Sequence, residues 1–573
     1  MKRIVILILA CVTFLLVATP QEPAATMAKS LADLMPPGAM LYLEAKDFKS
    51  LLNDWNDSRE KQLWLKSDNY QVFSRSRLLI KLQKAQSEFA TAAGAVPDMT
   101  FTDSVAGGRS ALGLYDVGHL QFLYITRMPS ARVMESVLWK LREKFQPRKA
   151  GDIAYFIHTD TVNHRAVAFA TANEYLFIAT REDLIAKALE LYSGKPGPDL
   201  SHEKWLEHAT HASAAPGDLR LALNMQALVR SPHFRSYWIQ RNVSEFKPYE
   251  AEIADIHRSA KEIREDRVLL REDSVSPAPI SPTDQSLGEI TRFVPADAGL
   301  YRAWINPSIS RVIDLLESKI LSPHGGKSPP SQLAPRVVLG NGNAGGEGDF
   351  ESRIDVEPPV TTVNTLQIAG LKELFQNPAP TAVLQIDSTR TAADGVLVGT
   401  DSAVILSAAT DWDGAAARAA LQSAVEPLWT TSGLGVQWTQ HVRAGKIYYE
   451  LNGLSRLSVA ADGRFFIIAT RPQLLLAVLA RSSTPVVNES GTYAAGFRHV
   501  EERDRLIKLL HFVETPAASR LAAFSTIGGH EPLFFSENLA SLSGALASVR
   551  SESIVVRDLG PRVTQTIRYE LAP

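Results

Sequence analysis

Tyr175–Gly194 reads YLFIATREDLIAKALELYSG, and Phe465–Ser483 reads FFIIATRPQLLLAVLARSS, 290 positions later. Each phrase is a short apolar run, an Ala-Thr-Arg corner and an apolar segment with helical spacing, the pattern of a buried strand turning into a helix. Thr180 and Thr470 are residues of the N-cap type, and Pro472 suits a first helical position, where its missing N–H costs nothing. Arg181 and Arg471 sit where a helix start could hold an anion. Pairing with a carboxylate, or covering a sheet edge with the arginine stem, is the plainer reading and the one adopted.

Working outward, the echo extends in both directions, as an internal repeat requires. Met35–Ala45 (MPPGAMLYLEA) has a partner in Phe293–Ile305 (FVPADAGLYRAWI), with Tyr42 matching Tyr301. The segment from His119, whose Val133, Met134, Val137, Leu138, Leu141 and Phe145 recur at helical spacing, matches the segment from Ser402, with Ala416, Ala420, Leu421 and Val425 on the corresponding face. Gly151–Ile157 aligns with Gly445–Leu451. A third match sets Ile253, Ile256, Ala260 and Ile263 on Leu539, Leu542, Leu546 and Val549, read as a long helix, and Val268–Glu272 on Ile554–Asp558. Asn173 and Gly463 supply turn chemistry for hairpins. The expected fold is therefore α+β: two homologous copies of a mainly antiparallel sheet with packed helices, after an N-terminal signal peptide. The expected boundaries are a signal peptide over 1–28, a first domain over 29–273, a linker over 274–290 and a second domain over 291–573. A Gly/Pro-rich insertion over 322–349 accounts for the jump in offset between the matches.

Composition bounds the function. At 573 residues the chain is too long for one ordinary core. Its net charge of −2 argues against a broad attraction to nucleic acid or anionic lipid, leaving room for a local basic patch. Lys2 and Arg3 precede an apolar run from Ile4 to Ala18 broken only by Thr13, the layout of a secretory signal. Cleavage is expected between Ala18 and Ala28, with a retained membrane anchor as the alternative. Cys11, the single cysteine, lies inside this run; "ILAC" loosely matches a lipoprotein box, a weaker alternative. Later cleavage removes disulfides, thiolate metal sites and thiol nucleophiles together.

Motifs for chemistry are weak. Gly340, Gly342 and Gly345 spell G-x-G-x-x-G, but no helix follows for a pyrophosphate to meet, and the first copy lacks it. His202, His208 and His211 with Glu203 and Glu207 miss the H-E-x-x-H order of a zinc helix and read as a polar helix end. Ser201 begins a literal S-x-x-K without its companion motifs. Gly528, His530 and Glu531 have no identifiable nucleophile. Phe234, Tyr237, Trp238 and Phe246 read as core packing on a helix whose charged remainder, Glu250–Arg267, is a solvated face. No catalytic, cofactor-binding or metal-binding residue is assigned, and no cofactor is expected.

The layout resembles exported bacterial proteins of uncharacterised function, which carry a Pro-rich turn and strand near the mature N-terminus, here Met35–Ala45, and a later strand-helix, here Tyr175–Leu189. The resemblance implies a cell-envelope location, periplasmic or extracellular, and transfers no catalytic residue. The expected role is a non-enzymatic binding or scaffold protein for a protein, lipid or glycan partner, with no nucleic acid and with membrane contact only through the N-terminal segment. Two alternatives are an extracytoplasmic hydrolase and a carrier of apolar molecules; a deep apolar cavity within one copy is the mark of the carrier.

Overall fold

The computed structural model describes residues 30–66, 70, 74–75, 77–232, 246–272, 287–321, 368–391, 398–429, 435–443, 445–453, 456–505 and 548–572. The chain is α+β and divides into two compact units. Described residues of the first fall within 1–284, 391–398 and 491–573, and those of the second within 285–390 and 399–490. Residues 491–573, which the repeat pattern assigns to the second copy, thus belong to the first unit.

The first unit opens with ten strands: β1 Leu41–Ala45, β2 Ser110–Asp116, β3 Gln121–Arg127, β4 Gln146–Ala150, β5 Ile153–Asp160, β6 Arg165–Ala172, β7 Tyr175–Ala179, β8 Leu219–Asn224, β9 Tyr249–Arg258 and β10 Glu262–Arg271. Antiparallel pairing orders them β4-β5-β6-β7-β3-β2-β1-β8-β9-β10. The β6–β7 hairpin turns at Asn173, whose φ of 48° a short polar side chain tolerates. Both faces of the sheet are covered. One packs Tyr42, Ile125 and Phe177 against Leu184, Ile185, Ala188 and Leu189 of helix Glu182–Tyr192 and against Trp205 and Leu206 of helix Lys204–Ala212. The other receives helices Phe48–Asp57, Arg77–Ala93 and Met99–Val105.

In the second unit lie β11 Leu300–Ile305, β12 Pro380–Thr391, β13 Val398–Ala408, β14 Gln437–Arg443, β15 Lys446–Asn452, β16 Leu457–Asp462 and β17 Phe465–Ala469. The pairings β11–β12, β13–β17, β17–β16, β16–β15 and β15–β14 follow the order seen in β1 to β7. The β16–β17 turn places Gly463 at φ 59°, a conformation glycine adopts without strain. Trp429, Leu421 and Val425 of helix Gly414–Trp429 bury against Val404, Leu406, Phe466 and Ile468.

The last strands, β18 Tyr493–Arg498, β19 Val549–Asp558 and β20 Arg562–Leu571, return to the first unit. β20 pairs antiparallel with β10 from Glu262↔Glu570 to Leu270↔Arg562, β19 with β20, and β18 with β19. Arg271 joins Asp558 across this seam at 2.7 and 2.8 Å.

Two sequence expectations are corrected here. Ile253, Ile256, Ala260 and Ile263 are not a helix: the first two lie in β9, Ala260 in the turn and Ile263 in β10. Their 3-4-3 spacing yields to ladder pairing with β8 and β20, tertiary context overriding a local period. Val268–Arg271 lies in β10, and Ile554–Asp558 lies in β19. The stretch Glu250–Arg267 is likewise no solvated helix face, since Glu252, Asp255, Glu265 and Arg267 are all buried. The expected insertion at 322–349, most of the linker, and Gly340, Gly342, Gly345, Gly528, His530, Glu531, Phe234, Tyr237, Trp238, Leu539, Leu542 and Leu546 lie outside the described residues, as does the N-terminal segment to residue 29.

Candidate apolar binding site

The repeated corner is structural in both places. Thr180 and Thr470 are not N-caps; Arg181 and Arg471 hold that position and make no side-chain cap bond. Instead the Thr180 hydroxyl accepts the Phe122 N–H at 2.8 Å, and the Thr470 hydroxyl accepts the Ser402 N–H at 3.0 Å. Each threonine therefore extends the sheet ladder one residue past its strand end. Arg181 pairs with Asp183 at 2.9 and 2.5 Å, and Arg471 with Asp401 at 3.2 Å.

The other sequence candidates are dispersed. His202 is exposed and joined to Asp199 at 2.8 Å, a contact that raises its pKa above the usual imidazole range. His208 faces Glu250 at 3.3 Å, and His211 lies in the last turn of its helix. Glu203 accepts the Trp205 indole N–H at 2.8 Å and the Gly38 N–H at 3.1 Å. Phe246 is buried with Leu223, Met225, Leu228 and Val229.

A different feature organises the first unit. A cavity of about 490 Å³ lies between the sheet and the three helices on its second face, within the range of small-molecule sites. Strand alternation builds its floor. Leu43 stands opposite Leu112, Leu112 opposite Tyr124, and Tyr124 opposite Ile178. Ala45 stands opposite Ser110 on one side and Leu219 on the other. Being spaced by two, these residues share one face of the pleat.

The roof is equally apolar. Asp47 caps helix Phe48–Asp57 through the Ser50 N–H at 2.9 Å, aiming Phe48, Leu51, Leu52 and Trp55 at the cavity. Asp98 caps helix Met99–Val105 through the Phe101 N–H at 2.8 Å. Phe101 packs edge-on against Phe89 of helix Arg77–Ala93, and Phe89 stacks on Phe122. An ion pair between Lys49 and Asp103 straps helix Phe48–Asp57 to helix Met99–Val105. The N–H groups of Phe48 and Lys49 donate to the carbonyls of Gly108 and Gly107 at 2.9 and 2.8 Å. Only glycine fits at 107, where a Cβ would meet the Arg127 carbonyl oxygen at 2.2 Å.

The polar atoms among these walls are turned to protein partners. The Tyr124 hydroxyl donates to the Val105 carbonyl at 3.1 Å. Ser110 Oγ lies 2.6 Å from Thr126 Oγ1 and donates to the Gly108 carbonyl at 3.0 Å. The walls that face the cavity are thus almost wholly apolar. On the same sheet face it separates two apolar clusters, one around Phe89, Phe101, Phe169 and Ile178, the other around Ala45, Leu51, Leu219 and Ile256. Sequence reading missed these residues. The available signal was that LYLEA, SALGLYD and QFLYITR are apolar at both odd and even positions, as strands covered on both faces are.

No family model matches the chain, and no curated protein matches it. Among solved structures, crystal forms III, I and IV of TP0453 match at TM-scores of 0.23, 0.22 and 0.22, with 10, 12 and 11% identity. The matches cover 43, 43 and 42% of this chain and 81, 80 and 79% of TP0453. Among the described residues, no helix is long and apolar enough to cross a membrane.

Proposed function

We propose that the protein is an exported binding protein that holds an apolar molecule of the acyl-chain class in the first unit, the second unit being a further copy of the same plan. The observation that supports this reading is the cavity bounded by Leu43, Leu112, Tyr124, Ile178, Leu51 and Phe101. Its walls are almost wholly apolar, and apolar surface left facing water forgoes about 25 cal/mol per Å². An apolar occupant that covers these walls would restore that contribution.

The test is binding of straight-chain fatty acids of increasing length, followed by displacement of a fluorescent polyene fatty acid. Each buried methylene contributes about 0.8 kcal/mol, so affinity should rise roughly fourfold per methylene until the cavity is full. Leu112→Trp, which fills the floor, should weaken binding at least about tenfold while leaving the thermal transition in place. Affinity independent of chain length, or equal in parent and variant, would sink the reading.

Export is part of the proposal, supported by the charged start and apolar run of Lys2–Ala18. Exported material should begin, by N-terminal sequencing, between Thr19 and Lys29. Membrane-bound protein that retains Met1 would show an anchor instead.

A further inference from the structure

The cavity walls are apolar, but one flank holds a cation with a donor to spare. Arg258 ends β9 two residues beyond Ile256, on the same face of the pleat. Ile256 stands opposite Leu219 of the cavity floor. Arg258 stands opposite Ile263, which packs in one cluster with Ala45, Leu51 and Leu219. The Arg258 backbone N–H donates to the carboxylate of Asp218, the residue before Leu219, at 2.8 Å. Its side chain crosses from the sheet to the roof and donates through Nη2 to Asp54 at 2.9 Å. Asp54 lies in helix Phe48–Asp57 between Leu51 and Trp55, both of which line the cavity. The guanidinium thus bridges floor and roof at the β9 flank.

Its hydrogen bonds are incomplete. Only 13% of the Arg258 side chain is exposed, and Nε is shut off from solvent with no acceptor among the described residues. A buried guanidinium N–H without an acceptor is costly, so an occupant that brings one is favoured over an occupant that does not. Charge decides the kind of acceptor. Arg258 is balanced by Asp54, and Lys46 lies 3.7 Å from Asp218. What stays open is a donor rather than a cation, so an uncharged oxygen completes the shell without displacing Asp54.

We infer that the Arg258 Nε–H holds a carbonyl oxygen of the occupant, so that the site takes acyl esters or amides in preference to plain hydrocarbons. The polar end of the chain then lies at the Leu51 and Leu219 side of the cavity. The inference rests on the apolar-ligand reading and gives that ligand a polar end and a direction.

The test compares methyl esters of straight-chain fatty acids with hydrocarbons of equal length, using the full chain. Each displaces a fluorescent polyene fatty acid whose own affinity is measured for every variant. In the parent the ester should bind at least about tenfold more tightly than the hydrocarbon, the scale of one hydrogen bond to a charged donor. Arg258→Lys keeps a cation for Asp54 but has no Nε–H. It should lose that preference while binding hydrocarbon as the parent does. The double variant Arg258→Met, Asp54→Leu removes the ion pair whole and should behave in the same way. The stretch of an isotope-labelled ester carbonyl should lie at lower frequency in the parent complex than in the Arg258→Lys complex. Equal affinities for ester and hydrocarbon in the parent, with affinity still rising with chain length, overturn the inference and leave the apolar-ligand reading standing. A preference that persists in both variants also overturns it. Absence of binding by either probe overturns both readings together.

Discussion

Arg220→Ala is expected to destabilise the first unit by about 3–5 kcal/mol, the cost of leaving a buried carboxylate without its cation. Asp255 is 1% exposed and stands directly opposite Arg220 in the β8–β9 ladder. Arg220 donates to its two oxygens at 2.8 and 3.0 Å, while Ser213 Oγ and the Gly217 N–H complete the shell at 2.5 and 2.9 Å. Removing the guanidinium leaves an ion that two neutral donors cannot balance. Urea unfolding followed by tryptophan fluorescence measures the loss, and a change under about 1 kcal/mol would refute the account. The double variant Arg220→Met, Asp255→Leu should recover most of the stability, because the pair's own desolvation is removed along with it.

Arg267→Met should be comparably costly at neutral pH, about 3–5 kcal/mol, because it strands two carboxylates. Arg267 Nε lies 3.1 Å from Glu252 and 3.0 Å from Glu265, and all three residues are buried. One cation between two anions leaves a net negative charge inside the sheet. Burial pushes the Glu252 carboxyl above its usual range, the Glu265 charge adds to the push, and Arg267 opposes it. The native state therefore keeps this proton at a pH where the unfolded chain has already released it. Glu252 favours folding most in acid, below the unfolded carboxylate range, and that contribution is lost as pH rises through the raised native value. Glu252→Gln should consequently unfold at higher temperature than the parent at neutral pH, with the advantage vanishing on acidification. Asp558 behaves oppositely: the Arg271 guanidinium lowers its pKa, so its contribution is present at neutral pH and lost in acid. A Glu252→Gln transition that tracked the parent at every pH would contradict this assignment.

The contrast between Arg181 and Arg267 shows what was legible in the sequence. The strand, corner and helix around Arg181 are local, and the apolar run followed by helical spacing revealed them. Hairpins at Asn173 and Gly463 were legible because a positive φ leaves few residue choices. Glu250–Arg267 was misread because its charges look solvated. Only pairing with β8 and β20, the latter about 300 residues away, shows that they are buried. The cavity was invisible for a related reason. Leu43, Leu112, Tyr124 and Phe101 are ordinary core residues by type, and what distinguishes them is space left between helices that the sequence does not encode locally. The role of Thr180 was hidden because a hydroxyl suited to capping a helix also suits the Phe122 N–H of a neighbouring strand.

The β10–β20 seam carries a consequence for the chain's birth. Asp266 bonds Thr566, a residue made 300 positions later. At about 5–20 residues per second, β10 waits roughly 15–60 s with one row of backbone donors and acceptors open. An open strand edge is a template for any extended chain nearby. Strand β20 thus acts as a clasp that reaches β10 only after some 300 further residues have been made, and a ribosome that stops short of Arg562 releases a product with that edge of β10 bare.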